Sequence, residues 1–153
     1  MSSASNKAII TRWIEEGWNA GNLDIADELY APGFFAASME EGVPDLHGPE
    51  AAKAMVQRLR SSFPDVHFRI NHLLSDGDIV VGAFTIEGTH LGELHGIPPT
   101  GKQVRFEAID IWRLEDGRIA ERRAAVADVF SMLRQLGVGL AVQEAADGVG
   151  GAT

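Results

Sequence analysis

The chain has 153 residues, enough for one domain that buries roughly two-thirds of the surface its unfolded form exposes, so one core suffices without covalent staples. It contains no cysteine, which excludes disulfides, thiolate nucleophiles and cysteine-based metal sites. Its 22 acidic residues against 13 Lys plus Arg give a formal charge of -9, with the basic residues scattered rather than gathered into a stripe; a nucleic-acid backbone would be repelled, and a neutral or apolar small molecule is the easier ligand.

The opening stretch MSSASNKAII carries one Lys and only two consecutive strong hydrophobes, the pattern of neither a signal peptide nor a membrane span, which predicts a cytoplasmic protein with no membrane partner. Ile9, Ile10, Trp13, Ile14 and Trp18 recur at helical spacing from about Ser5 to Ala20, and Gly21 is placed to stop the turn. A short second helix follows with Asn22 as its cap, Leu23, Ala26 and Leu29 on one side, and Pro32 beyond its end. Gly33 to Met39 reads as extended. Gly48-Pro49-Glu50 opens a third helix, whose buried side uses Ala52, Met55, Val56 and Leu59, and Phe63-Pro64-Asp65 closes it.

From Val66 the period changes from helical to alternating. Val66 to Leu74, Ile79 to His90, Val104 to Leu114 and Ile119 to Val126 predict four strands of an antiparallel meander, with Asp-Gly turns at Ser75-Asp76-Gly77-Asp78 and Glu115-Asp116-Gly117. The connection Leu91 to Gln103, with Pro98-Pro99 and three glycines, is too long for a simple hairpin and is read as a pocket rim or lid. Asp128 begins a last helix with Phe130, Leu133 and Leu136, ended by Gly137. Helices first and sheet afterwards is the order of a segregated α+β domain over residues 1–137, its curved sheet wrapping the helices around one cavity. Residues 138–153, rich in Gly and Ala and free of Lys and Arg, predict a flexible C-terminal tail.

The run FPDVHFRI, the SDGD turn, GTHLGELHGIPPTGK, the strand FEAIDIWRLEDGRIAE and the late RQLG resemble the SnoaL-like ester and polyketide cyclases of the nuclear transport factor 2-like superfamily. The likeness spans Trp18-Asn19-Ala20-Gly21 to Gly137. It implies a cone-shaped, barrel-like antiparallel sheet around a deep pocket, usually in a homodimer. It also implies ring closure in an aromatic polyketide by intramolecular aldol condensation, using acid/base side chains and no metal or organic cofactor. Other members hydroxylate, hydrolyse or only bind, so the resemblance specifies the vessel more closely than the reaction.

Among residues that carry chemistry, Asp110 stands out because alternation puts it on one strand face with Phe106, Ala108 and Trp112. Apolar neighbours raise a carboxyl pKa, which suits proton transfer near neutral pH, and Ile-Asp-x-x-Arg resembles the strand bearing the oxyanion-stabilising acid of ketosteroid isomerases. A buried structural Asp bonded to Arg, Trp or backbone is the alternative. His90 closes a strand on the face of Phe84 and Ile86, as a proton shuttle or a hydrogen-bonded rim residue, and His95 lies in the Gly-rich connection. His47, His67 and His72 show no metal-ligand spacing, so no metal is predicted. Asp128 either faces the pocket mouth or caps the last helix. Trp18, Phe35 and Trp112 are candidates for stacking on a flat ring, and Arg122, with His95, for contact with substrate.

One departure from the family is conspicuous. Where members commonly read Glu-His-Trp-Asp on the last strand, this chain reads Glu121-Arg122-Arg123-Ala124. An ungapped placement puts the cyclases' acid/base Asp on Ala124, whereas a shifted one puts it on Asp128. Two functions are therefore expected to compete: cofactor-free acid/base chemistry, such as cyclisation or isomerisation, on a hydrophobic carbonyl compound, and divergent or non-catalytic binding of a hydrophobic small molecule. A third possibility, a closed interaction module, would leave no pocket.

Overall fold

A computed structural model describes residues 2–38 and 42–139; the expected tail lies, from residue 140, outside the described residues. Helix α1 (Ser3–Arg12) starts where the extended Ser2 accepts a hydrogen bond from the Ser5 N–H at 3.1 Å, an N-cap. It runs without interruption into a wider π-helical turn, Trp13–Asn19, closed by Ala20 N–H to Glu15 C=O at 3.0 Å. A Cβ on Gly17 would lie 2.5 Å from the Trp13 indole, so only glycine lets that buried ring lie along the helix. Gly21, at φ +71°, then turns the chain.

Asn19 explains the Trp-Asn-Ala-Gly run. Its side-chain amide donates to the Phe68 carbonyl at 2.9 Å and accepts from the Phe68 N–H at 2.7 Å, acting as an added rung on the edge of the sheet. Helix α2 (Ile25–Leu29) starts later than the sequence suggests: the Asn22 N–H is committed to Glu16 at 2.9 Å, and Asn22 caps nothing. Strand β1 (Tyr30–Ala36), the short β2 (Leu46–His47) and helix α3 (Gly48–Ser62) follow, with Pro49 in the first helical turn as expected. Among the described residues no helix is long and apolar enough to cross a membrane.

Strands β3 (His67–Asp76), β4 (Ile79–Thr89), β5 (Gln103–Glu115) and β6 (Arg118–Ala127) form the predicted antiparallel meander. The six-stranded sheet runs β2-β1-β6-β5-β4-β3 and is open, and it is mixed because β1 pairs parallel to β6. Irregularities in the β3–β4 and β5–β6 ladders accompany its curvature. The second hairpin turns on Asp116 and Gly117 at φ +49° and +76°, and the first on Gly77 and Asp78 with Gly77 at φ +58°. Helix α4 (Val129–Gln135) lies at the end of β6.

The inner face of the sheet carries Val80, Phe84, Phe106, Trp112 and Ile119 against Ile10, Trp13, Ile14 and Val56, all nearly or wholly buried. A Cβ on Gly82 would sit 2.3 Å from the Phe84 ring and 3.1 Å from that of Trp112. Glycine there lets the two rings close over β4, and this part of the interior is filled. The connection after β4 is no loose lid. His90 N–H donates to Lys102 C=O at 2.9 Å, Leu91 and Gly92 donate to Ser62 C=O, and Ser62 Oγ donates to Glu93 C=O at 2.6 Å. Residues 90–102 thus form an arm pinned to the end of α3, its tip a miniature hairpin from Leu94 to Ile97 with His95 at φ +47°.

Candidate active site

Alternation along β5 places Asp110 on the inner face with Phe106, Ala108 and Trp112, as read from the sequence. Its cross-strand neighbours are Gly82 on β4, which has no side chain, and Ala125 on β6. Burial pushes the Asp110 carboxyl from its ordinary 3.8 up to about 6, while the positive charge of Arg122 pulls it back down. Arg122 stands on the same face of β6, opposite Trp112, and its guanidinium makes no hydrogen bond or direct ion pair with a described residue.

A third group belongs here that the sequence reading missed. Tyr30, the chain's single tyrosine, is wholly buried at the start of β1. Its ring is held edge-on by Trp13 at 4.9 Å and Phe34 at 4.7 Å. Burial raises the pKa of its hydroxyl; Arg122 lowers it and Asp110 raises it, so the three groups share one electrostatic neighbourhood. The signal available in the sequence was a polar-tipped aromatic three residues after Asp27 and in phase with Phe34, which helical periodicity disguises as the end of α2.

A half-open cavity of about 520 Å³ lies beside this group, within the size range of small-molecule sites. Val43, Pro44, Leu46, Ala124 and Ala125 supply apolar wall. Arg58 from α3, His95 from the tip of the arm, Arg122 from β6 and Asp45 supply charge or polarity. Ala125, which lines the cavity, is the direct cross-strand partner of Asp110. Ala124 lines it too, although the ladder pairs it with Ile111; the irregularity between residues 122 and 124 brings both alanines to the wall.

The other candidates are distributed elsewhere. His90 is fully buried on the predicted face, but its Nδ1 accepts from the Thr100 N–H at 3.2 Å and lies 3.0 Å from Thr100 Oγ1, with its ring against Phe63. These contacts make it the clasp of the arm and assign its proton to Nε2, which has no hydrogen-bond partner among the described residues. Asp128 is exposed and accepts from the Ser131 N–H at 2.9 Å, the capping alternative, rather than lining the cavity. Phe35 pairs with Glu121 and His47, and Glu121 bonds to Arg113 on the outer face, so alternation turns Phe35 away from Asp110 and Phe34 toward the core. Trp112 packs edge-on against Phe84 at 6.0 Å, in the space Gly82 vacates, and Trp18 stacks on Phe68 at 4.7 Å. Neither indole lines the cavity. His95 and Arg122 do.

The SnoaL-like polyketide cyclase pattern matches residues 8–136. The chain belongs to this family. It is 31% identical over 134 residues to the aklanonic acid methyl ester cyclase DnrD of Streptomyces peucetius, covering 87% of this chain and 92% of that one. Over 123 residues it is 31% identical to the nogalonic acid methyl ester cyclase of Streptomyces nogalater, covering 78% and 89%. TsrD from Streptomyces laurentii superimposes with a TM-score of 0.78 at 26% identity, covering 90% of this chain and 98% of that one. The fold is accordingly that of the SnoaL-like, nuclear transport factor 2-like proteins, and the cyclase names of the relatives agree with a cyclase-like enzyme. Family membership gives Ala124 its interest: of the two placements expected for the cyclases' acid/base Asp, Ala124 lines the cavity and Asp128 caps α4.

Proposed function

We propose that the chain is a cyclase-type enzyme that removes a proton alpha to a carbonyl of a hydrophobic, polyketide-like compound and closes a ring by adding the resulting enolate to a second carbonyl of the same molecule. Asp110 takes the proton. Near neutral pH it is mostly ionised, because Arg122 offsets part of the burial that would otherwise keep it protonated. The Tyr30 hydroxyl, fixed by Trp13 and Phe34, donates a hydrogen bond to the enolate oxygen. The enolate carbon bonds to the second carbonyl carbon, and the new alkoxide recovers the proton from Asp110, so substrate and product are isomers. The observation that carries this reading is the Asp110 carboxyl, raised toward neutrality beside Arg122 and across one ladder step from the cavity wall.

The test is incubation with an aryl β-keto ester bearing a second carbonyl, followed by chromatography and mass spectrometry. A new peak of unchanged mass is the expected result, lost on Asp110→Asn; substrate recovered at its original retention time contradicts turnover. A second reading, binding without conversion, draws on Ala124: if the ungapped placement of the family's acid/base Asp holds, a methyl group stands there and the same cavity would hold its guest unchanged. The reading includes a homodimer joined through the outer face of the sheet, where Ile109 on β5 and its cross-strand partner Val126 are 50% and 59% exposed and Leu74 on β3 is 66% exposed, a concentration of apolar surface that a second copy would cover.

A further inference from the structure

The charge at the cavity mouth runs against that of the chain as a whole. The chain is formally -9, yet the described residues lining the cavity bring two guanidiniums and an imidazole, of Arg58, Arg122 and His95, to face one carboxylate, Asp45. Elsewhere the arginines and lysines are largely engaged: Arg12 with Glu16 and Glu28, Lys53 with Asp27 and Glu50, Arg113 and Arg123 with Glu121. Arg58 and Arg122 have neither a hydrogen bond nor an ion pair with a described residue. Asp45 accepts from the Ser38 N–H at 2.9 Å and is paired with neither of them.

The three basic groups come from three separate elements: α3, β6 and the tip of the pinned arm. The tip holds His95 at φ +47°, a conformation a non-glycine side chain seldom adopts, and the anchoring of the arm to Ser62 fixes that tip over the cavity. The half-buried Arg122 guanidinium on the inner face of the sheet loses hydration; Asp110 answers its charge without a hydrogen bond or ion pair, and no other described residue pairs with it, so a ligand carboxylate at the mouth would complete its pairing. Two guanidiniums present planar forks that match the two oxygens of a carboxylate.

Resting on the cyclase reading above, we propose that the substrate bears a free carboxylate, gripped at the mouth by Arg58 and Arg122 with His95 beside them, while its carbonyl-bearing part extends toward Asp110. The relatives' names specify methyl esters, which carry no charge at that group, so the chain would differ from them in the form of acid it accepts. The proposal departs from the neutral ligand that overall composition suggests.

The test compares binding of anthraquinone-2-carboxylate and its methyl ester to the full chain, by quenching of tryptophan fluorescence at low ionic strength. The acid is expected to bind about tenfold more tightly than the ester, the effect of one well-formed charge-assisted contact. Arg58→Gln and Arg122→Gln should each shrink that preference, and the double variant should abolish it while keeping the parent's circular dichroism, which shows that the variant is folded. Equal affinity of acid and ester for the parent chain, or a preference that survives the double variant, overturns the carboxylate inference and leaves the cyclase reading intact. If neither compound binds, the cyclase reading beneath it falls as well.

Discussion

A carboxyl whose pKa rises from 3.8 to about 6 on folding holds its proton more tightly in the folded chain than in the unfolded one. Below about pH 4 both states are protonated and nothing is lost. As pH climbs from there, the unfolded chain ionises first and the folded state loses stability; above about pH 6 the loss is complete, at ~3 kcal/mol for a shift of roughly two units. Asp110→Asn cannot ionise, so in urea denaturation it should be more stable than the parent by ~1–3 kcal/mol at pH 7.5 and equal to it at pH 3.5. Its turnover should fall at least about a hundredfold. A stability loss at pH 7.5 would mean that Asp110 anchors the fold. Tyr30→Phe keeps both ring contacts and should lower the rate about tenfold or more with stability unchanged, as removal of an oxyanion donor does; parent-like turnover would remove Tyr30 from the site. The inward face of Asp110 was legible in the sequence because strand alternation places it directly, whereas Arg122 reaches that face only through the ladder irregularity between Ile119 and Glu121, which alternation does not show. Nor was the fate of Trp112 legible, since it depends on Gly82, across the ladder on β4 and invisible to any local pattern.

Elements defined by local chemistry were the legible ones. Asp116-Gly117 and Gly77-Asp78 specify their hairpins within four residues, and Pro49 and Asp128 mark helix starts, whereas the first helix begins at Ser3 behind a Ser2 cap, earlier than the expected Ser5. The parallel pairing of β1 with β6 joins segments some ninety residues apart, and two-residue β2 is too short to show a period, so neither could be read. The arm after β4 was identified as a rim, but its rigidity was not, because its anchors lie on α3. Gly92 is where that anchoring is tightest: an added Cβ would fall 1.8 Å from the Ser61 carbonyl oxygen. Gly92→Ala should therefore cost ~2 kcal/mol of stability in urea denaturation, in the range of overpacking, since backbone must move. Parent-like stability would show that arm and helix are not clamped together.

At the scale of the molecule, helices-first order gave the α+β class, and the long GTHLGELHGIPPTGK and IDIWRLEDGRI segments carried the family. The open, mixed sheet and the filled interior behind the cavity emerge only from the assembled packing. The outer face supports a further expectation. Size-exclusion chromatography with light scattering should give twice the chain mass, and Ile109→Glu with Val126→Glu should give monomers that keep the parent's circular dichroism, because two charges would replace the apolar pair at its centre. A parent chain eluting as a monomer would contradict the dimer.

Proton abstraction by Asp110 is the step from which the cyclase reading follows, and it can be watched without knowing the natural substrate. In deuterated buffer the protein should catalyse exchange of the alpha protons of an aryl β-keto ester, measured as mass gain against a no-enzyme control. The rate should rise with pH through an apparent pKa near 6 in the parent chain and drop at least about a hundredfold in Asp110→Asn. Exchange by that variant at the parent's rate, or a parent rate flat across this pH interval, would contradict the assignment.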